Sequence, residues 1–242
     1  MVTNSDSGTC IDEIADGIYR ISTPLPPTVV PGGFSLNQYL VVDDAPLLFH
    51  TGTRGIFPLV RAAIDTVLPA TRLRFVGFSH VEADECGALN DFLAIAPDAV
   101  PLCSTIAAQI SLGDSADRPA RGLGDGEELS LGRRTVRWVD APHLPHSWET
   151  GYLFDTRTQT LLCGDLFTQP GADNPPVTTR DILGPSEAMR AGLDYFAHGP
   201  GDGQRLEQIA ALAPSTLAVM HGSAYRGDGA ALLRALGRAL AS

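Results

Sequence analysis

The feature that most constrains this chain is a recurring strand end. At four places an apolar, strand-like run stops and a residue able to bind a metal follows at once. "FVGFS" leads into His80, with Glu82, Asp84 and Glu85 close behind, in the stretch "FSHVEADECGALN". "VRWVD" leads into "APHLPHSWE", which carries His143 and His146. "TLLCG" ends at Asp165, and "LAVM" ends at His221. In α/β architectures, sites gather outside the carboxyl ends of strands, where several loops converge. One histidine after a strand is ordinarily a loop residue, and acids before a helix ordinarily cap it or offset its dipole. Four coincidences at strand ends outweigh those separate readings. Together His80, Glu82, Asp84, Glu85, His146, Asp165 and His221 supply three imidazoles and four carboxylates. Such groups repel one another or resist burial unless cations hold them.

Charge narrows the alternatives. The 242-residue chain has a formal charge of −11, and all 17 of its basic residues are arginine. Without lysine there is no phosphate-loop lysine, no Schiff base and no lysine general base. A pI near 4.8 without a basic run argues against nucleic acid. The start, "MVTNSDSGTCIDEIADG", lacks the basic and apolar regions of a secretory signal, and no apolar run approaches a membrane span. Cys10, Cys86, Cys103 and Cys163 form no C-x-x-C pair, so free thiols in a reducing cytoplasm are expected. Cys10 is expected in a mobile tail. Cys86 and Cys163 lie close in sequence to the acids, but small buried packing residues are the expected reading for both.

The periodicity predicts strands at Gly17–Ser22, Leu36–Val42, "LLFHTG" and Leu73–Ser79, and helices near Pro58–Val67 and Gly87–Ala96. "AVPLC" and "STIAAQI" read as a strand and a helix, with Ser104 as N-cap. The second half offers strands in "EELSL", "TVRWVD", "GYLFD", "TLLCGD" and "TLAVM", then helices over Glu187–Ala197, Gln204–Leu212 and Gly229–Leu240. Two comparable strand-and-helix halves with no linker predict one domain over residues 1–242, with two packed sheets and helices outside. The proline-rich stretches "TPLPPTVVPGGF" and "LFTQPGADNPPVTTRDILGPSEAM" are expected as pocket walls or a lid. Trp148, Phe167, Tyr195 and Tyr225 are candidate pocket aromatics.

The pattern resembles the metallo-β-lactamase fold, in the branch holding flavodiiron proteins and flavin-free oxygen-binding diiron proteins. The hydrolase branch carries H-x-H-x-D-H at the first strand end, and the diiron branch H-x-E-x-D-H. Here the motif is "HVEADE", and the steps from His80 to His146, Asp165 and His221 are close to the diiron pattern. The resemblance implies an αββα sandwich of two mixed sheets flanked by helices, in the α/β (α+β) class, with the site at the sheet edges. It implies one metal on His80, Glu82 and His146, a second on Asp84 and His221, and Asp165 bridging both. The step from the motif to Asp165 selects His146, leaving His143 in the second shell or at the pocket rim.

Two departures matter. Glu85 stands where many relatives have histidine, either adding a carboxylate ligand or removing a ligand. His50 stands where the wider fold usually has aspartate. The changes look reciprocal, so His50 is expected to hydrogen-bond Glu85 or Asp84 behind the metals. Carboxylate-rich sites suit harder ions, which favours two iron ions over two zinc or mixed metals. The resemblance then implies a protein that binds dioxygen, or nitric oxide, reversibly or as a sensor, or a reductase of those gases. Flavodiiron relatives carry a flavodoxin domain for which this chain has no room, so no flavin is expected here. A reductase would draw on a separate flavoprotein or rubredoxin-like donor, and a homodimer is also compatible. The alternative is a dimetal hydrolase of a lactone, thioester or similar ester.

Overall fold

The computed structural model describes residues 1–241. The first half builds a seven-stranded sheet in sequence order: β1 (Cys10–Ala15), β2 (Ile18–Leu25), β3 (Phe34–Val41), β4 (Leu47–Phe49), β5 (Phe75–Gly77), β6 (Val100–Ser104) and β7 (Arg121–Leu123). The second half supplies β8 (Glu128–Ser130), β9 (Thr135–Asp140), β10 (Gly151–Asp155), β11 (Thr160–Leu162), β12 (Val177–Thr178), β13 (Thr216–Ala218) and β14 (Ala224–Arg226). These pair in the order β12-β14-β13-β11-β10-β9-β8. Both sheets are mixed. β1 to β4 pair antiparallel and β4 to β7 parallel, while β8 to β11 are antiparallel and β11 joins β13 in parallel.

Alternation along the strands sorts the side chains into three apolar layers. Ile18, Tyr39, Val41 and Phe49 face Trp138, Leu153, Leu162 and Ala218 between the sheets. On the other face of the first sheet, Ile21, Leu40, Leu48 and Val76 pack beneath α1 (Phe57–Asp65), α2 (Ala83–Cys86) and α3 (Leu89–Ile95). A short α4 (Leu112–Ser115) follows a single π turn on the same side. On the far face of the second sheet, Tyr152, Phe154 and Leu217 pack with Leu206, Ile209, Leu233 and Leu236 of α6 (Asp202–Ala210) and α7 (Gly229–Leu240), beside α5 (Leu183–Gly192). The result is the expected αββα sandwich of two mixed sheets. No helix among the described residues is long and apolar enough to cross a membrane.

Several expectations need correction. Cys10 is not in a mobile tail. It opens β1, which pairs with β2 and sends Ile11 outward under α1 and Ile14 between the sheets. The terminal amino group is itself tied to Asp12 Oδ1 at 2.6 Å. The helix expected over Gly87–Ala96 runs over Leu89–Ile95, and a separate short α2 precedes it, because the chain at Gly87 and Ala88 turns to meet Thr51 and Gly52; Ala88 N donates to Gly52 O and Thr51 Oγ1. The helix expected over Glu187–Ala197 starts earlier, at Leu183. Asp181 accepts from Leu183 N and Gly184 N and sets that start. The N-cap role of Ser104 holds in part: its Oγ accepts from Ala107 N at 3.1 Å, and a π turn rather than an α-helix follows. The short β7, β12 and β14 carry too few residues to show an alternating pattern.

Trp138 and Gly151 interlock on neighbouring strands. Trp138 is fully buried and donates its indole N–H to Asp140 Oδ1, and a Cβ at Gly151 would overlap its ring. Asp228 caps α7 by accepting from Ala231 N at 2.8 Å. Gly151→Ala is therefore expected to cost about 1–3 kcal/mol through overpacking, and Asp228→Ala about 1 kcal/mol through the lost cap. Urea unfolding of the two variants checks the order; equal midpoints would refute it.

Candidate metal centre

Four strand ends converge at one edge of the sandwich. β5 runs through Phe78 and Ser79 to His80, and Ser79 O is held by Gly151 N at 2.9 Å. β9 leads to the loop of His146, β11 to Asp165, and β13 to His221. Each imidazole fixes its Nδ1 on a protein oxygen. His80 Nδ1 lies 2.9 Å from Ser79 Oγ, His146 Nδ1 lies 3.2 Å from Tyr195 O, and His221 Nδ1 lies 2.8 Å from Ser35 O. With Nδ1 engaged outward, every Nε2 faces the centre.

Around that centre the donors form two groups. His80 Nε2 and His146 Nε2 are 3.0 Å apart, and Glu82 Oε2 stands 3.0 and 3.1 Å from them. Asp165 Oδ2 closes this group at 3.5 Å from His80 and 3.9 Å from His146. One ligand atom each from His80, Glu82, His146 and Asp165 lies within 4.8 Å of the others. The second group is His221 Nε2, 3.2 Å from Asp165 Oδ1 and 3.5 Å from Asp84 Oδ2. Asp165 thus turns one oxygen to each group. The buried Oδ1 has no hydrogen-bond partner among the described residues. Two imidazole Nε2 atoms 3.0 Å apart and a divided carboxylate are a donor set that fits cations once the rings release their protons.

Glu85 points elsewhere. Its Oε2 stands 2.5 Å from His50 Nε2 and accepts from Ser79 Oγ at 3.0 Å, with both partners of the His50 pair fully buried. His50 therefore does meet Glu85, as its position in "LLFHTG" leads one to expect. Burial pushes the His50 pKa down to about 3 and the Glu85 pKa well above the usual carboxyl range. The pair shares one proton and adds no net charge beside the donors.

The donors themselves are strongly polarised. Burial disfavours the charged forms of His80 and His221, but Glu82 and the other acids around His80, and Asp165 and Asp84 around His221, outweigh it and raise both to about 9. Glu82, bonded to His146 and His80, keeps its proton off down to about 2. Burial opposes ionisation of Asp165, yet His221 holds its pKa far below the ordinary range.

The donors open into a cavity of about 210 Å³ whose walls include Phe34, Thr168, Met189, Leu193 and Tyr195. Phe34 stacks on the His221 ring with centroids 4.2 Å apart. Of the four candidate aromatics only Tyr195 lines this cavity; Phe167 and Tyr225 belong to the apolar layer beneath α6 and α7, and Trp148 is half exposed beside another cleft. His143 lies apart with Asp202 and Arg205 in a separate surface cleft. Cys86 donates Sγ–H to Glu82 O, and the buried Cys163 faces Ala218 O. Phe34, Thr168 and Met189 fall within the two proline-rich stretches expected around the pocket, whereas sequence reading passed over Ser35 and Ser79. Only the position of Ser79, directly before His80, gave a signal.

Comparisons with known proteins follow this geometry. Residues 34–192 match the family described as ODP family beta lactamase. Rubredoxin-oxygen oxidoreductase of Megalodesulfovibrio gigas is 28% identical over 224 residues, covering 83% of this chain and 51% of that protein. Diflavin flavoprotein A 1 of Synechocystis is 25% identical over 138 residues, covering 56% of this chain and 24% of that protein. The chain thus spans about half the length of the first relative and about a quarter of the second. Among solved structures, the Flv1 flavodiiron core from Synechocystis superposes with a TM-score of 0.81 at 21% identity, over 96% of this chain and 60% of that one. The Desulfovibrio gigas rubredoxin oxygen:oxidoreductase structure gives 0.79 at 22% identity, over 94% and 60%. With the family match covering well over half of its length, this chain belongs to the ODP family beta lactamases, and it shares the metallo-β-lactamase-like fold of the flavodiiron structures.

Proposed function

We propose that this chain is a non-haem diiron protein that binds and reduces dioxygen, with nitric oxide as an alternative ligand. The observation that carries the reading is Asp165, whose two oxygens face two separate groups of imidazole and carboxylate donors. His80, Glu82 and His146 would hold one iron and His221 and Asp84 the other, with Asp165 between them. Glu85 is assigned outside the ligand set, holding Ser79 and, through it, the orientation of His80.

When bound, the two irons supply reversible ferrous–ferric electron transfer to a small ligand. The protein's own part is the arrangement around them. Glu82, Asp84 and Asp165 give each group hard oxygen donors, which suit iron better than the histidine- and cysteine-rich sets zinc prefers. Phe34, Met189 and Leu193 make the cavity wall apolar, which suits an uncharged diatomic gas. Tyr195 stays protonated there, because burial raises its pKa, and its carbonyl fixes His146. Electrons would come from a flavoprotein or rubredoxin-like donor. The free cysteines fit a cytoplasmic setting.

Protein isolated without added metal is expected to carry about two irons per chain, in keeping with a two-metal site. Admitting oxygen to the anaerobic ferrous form should produce a near-ultraviolet or visible band. Stoichiometric zinc, with no oxygen-dependent band even after iron loading, would overturn the reading and turn the search to ester hydrolysis. Asp165→Asn should lower the iron content of both positions, and His146→Ala that of one; metal analysis with unchanged iron in both variants would reject the ligand set.

Metal uptake should also depend on pH with a definite sign. His80 and His221 keep protons up to about 9 and must release them to bind a cation. Affinity should therefore rise with pH toward about 9 and fall below it, by roughly tenfold per pH unit for each proton displaced. Competition with a chelator across that range measures the slope. A flat profile would mean that these imidazoles are not ligands.

A further inference from the structure

A buried arginine sits behind the His221 turn, and nothing in the metal-binding scheme accounts for it. Arg20 is 1% exposed and lies on the inner face of β2, between the sheets. Its Nη2 donates to Gly222 O at 2.8 Å, one residue beyond His221, while its Nε has no hydrogen-bond partner. Among the described residues it makes no ion pair within 4.0 Å. Its cross-strand neighbours are Asp12 and Tyr39. Asp12 is engaged with the terminal amino group, and the Tyr39 hydroxyl donates to Val219 O.

This placement is costly in a way that a positioning role alone does not explain. Arginine cannot shed its charge, and burial penalises it by more than the favourable fields of Tyr39, Cys10 and Asp12 offset. The turn has other anchors: Asn37 Nδ2 already donates to Val219 O and Gly222 O, and Ser35 Oγ accepts from Gly222 N. A neutral donor could serve the Gly222 carbonyl as well. What the guanidinium adds is a fixed positive charge, screened little by salt because it is buried.

We infer that Arg20 is an electrostatic tuning residue of the metal centre, weakening cation binding at the His221 side and raising the reduction potential of the bound irons. Each ferric-to-ferrous step takes one electron from the external flavoprotein or rubredoxin-like donor and removes one positive charge from the centre. A nearby fixed cation therefore favours the reduced state. The effect on potential rests on the diiron reading. The effect on divalent binding requires only that His221, Asp84 and Asp165 hold a cation. By Coulomb's law at an effective dielectric of roughly 25–50, a unit charge on the order of 10 Å from a divalent ion changes its affinity roughly ten- to a hundredfold.

The test compares Arg20→Gln and Arg20→Met, which remove the charge, with Arg20→Lys, which keeps it, all in the full chain. Cobalt(II) affinity of the apo protein is measured by chelator competition, and the midpoint potential of the iron-loaded protein by redox titration. The neutral variants are expected to bind cobalt roughly ten- to a hundredfold more tightly and to have a lower midpoint, with Arg20→Lys close to the parent. A merely structural role gives the opposite sign, since a loosened His221 turn would bind cobalt more weakly. Unchanged or weaker cobalt binding in the neutral variants overturns the proposal, as does failure of both to fold while Arg20→Lys folds. If the parent chain holds no iron, the diiron reading fails, and the cobalt measurement still decides the role of Arg20.

Discussion

The geometry of the centre depends on one attachment: the pinning of the turn from Val219 to Gly222 against β3. Asn37 Nδ2 reaches two carbonyls of that turn, at 3.0 and 2.9 Å, and its backbone N–H takes Met220 O at 3.0 Å. Tyr39 donates its hydroxyl to Val219 O at 2.6 Å, and His221 itself donates to Ser35 O. β3 belongs to the first sheet and the turn to the second, so these bonds fasten the two halves of the chain where their ligands must meet. Net values near 1 kcal/mol per bond make the attachment modest as stability. Its larger effect is precision, because a site drawn from both sheets tolerates little relative sliding.

The same convergence creates an electrostatic problem that the local sequence partly solves. Placing Glu82, Asp84 and Asp165 beside three imidazoles gives a cluster in which His80 and His221 retain protons to about 9, Glu82 and Asp165 lose theirs early, and burial raises the pKa of Asp84. Without metal, the protons stand in for cations. Glu85 would have added a further anion, but burial raises its pKa well above the usual carboxyl range and removes that charge. The anionic load facing the donors is therefore set by three carboxylates. The formula read from the sequence alone, with four, overcounts it.

What the sequence made legible was the part carried by chemistry-bearing residues at strand ends. His80, Glu82, Asp84, His146, Asp165 and His221 were all found by that rule, and the structure brings all six together. The interval to Asp165 distinguished His146 from His143, and the two do lie in different clefts. The closing helix was read to the residue, because its apolar face is strong and Asp228 caps it. The supports were not legible. Ser35 acts through a carbonyl and Ser79 through one hydroxyl, and neither type in isolation signals a metal site. β1 was missed for a related reason: a bulge between Glu13 and Ala15 breaks the alternation that would have announced it.

The His50–Glu85 pair shows how a departure from a family pattern can conserve physics. Ser79 Oγ accepts from His80 Nδ1–H and donates to Glu85 Oε2, so Glu85 determines the direction of the chain of bonds that ends at the His80 lone pair. The resemblance implies an acid at the position of His50 in the wider fold and, in many relatives, a histidine at that of Glu85. An acid and an imidazole in contact hold one proton between them whichever strand contributes which. Exchanging them leaves the charge behind the centre unchanged while placing the carboxylate next to Ser79, where it can orient the serine hydroxyl. The cost is that the inner position no longer offers a ring nitrogen as a metal ligand. The second group of donors is then His221, Asp84 and the shared Asp165, a sparser set than the first. An unpaired cation at Arg20 therefore acts on the half of the centre with the fewest donors to oppose it.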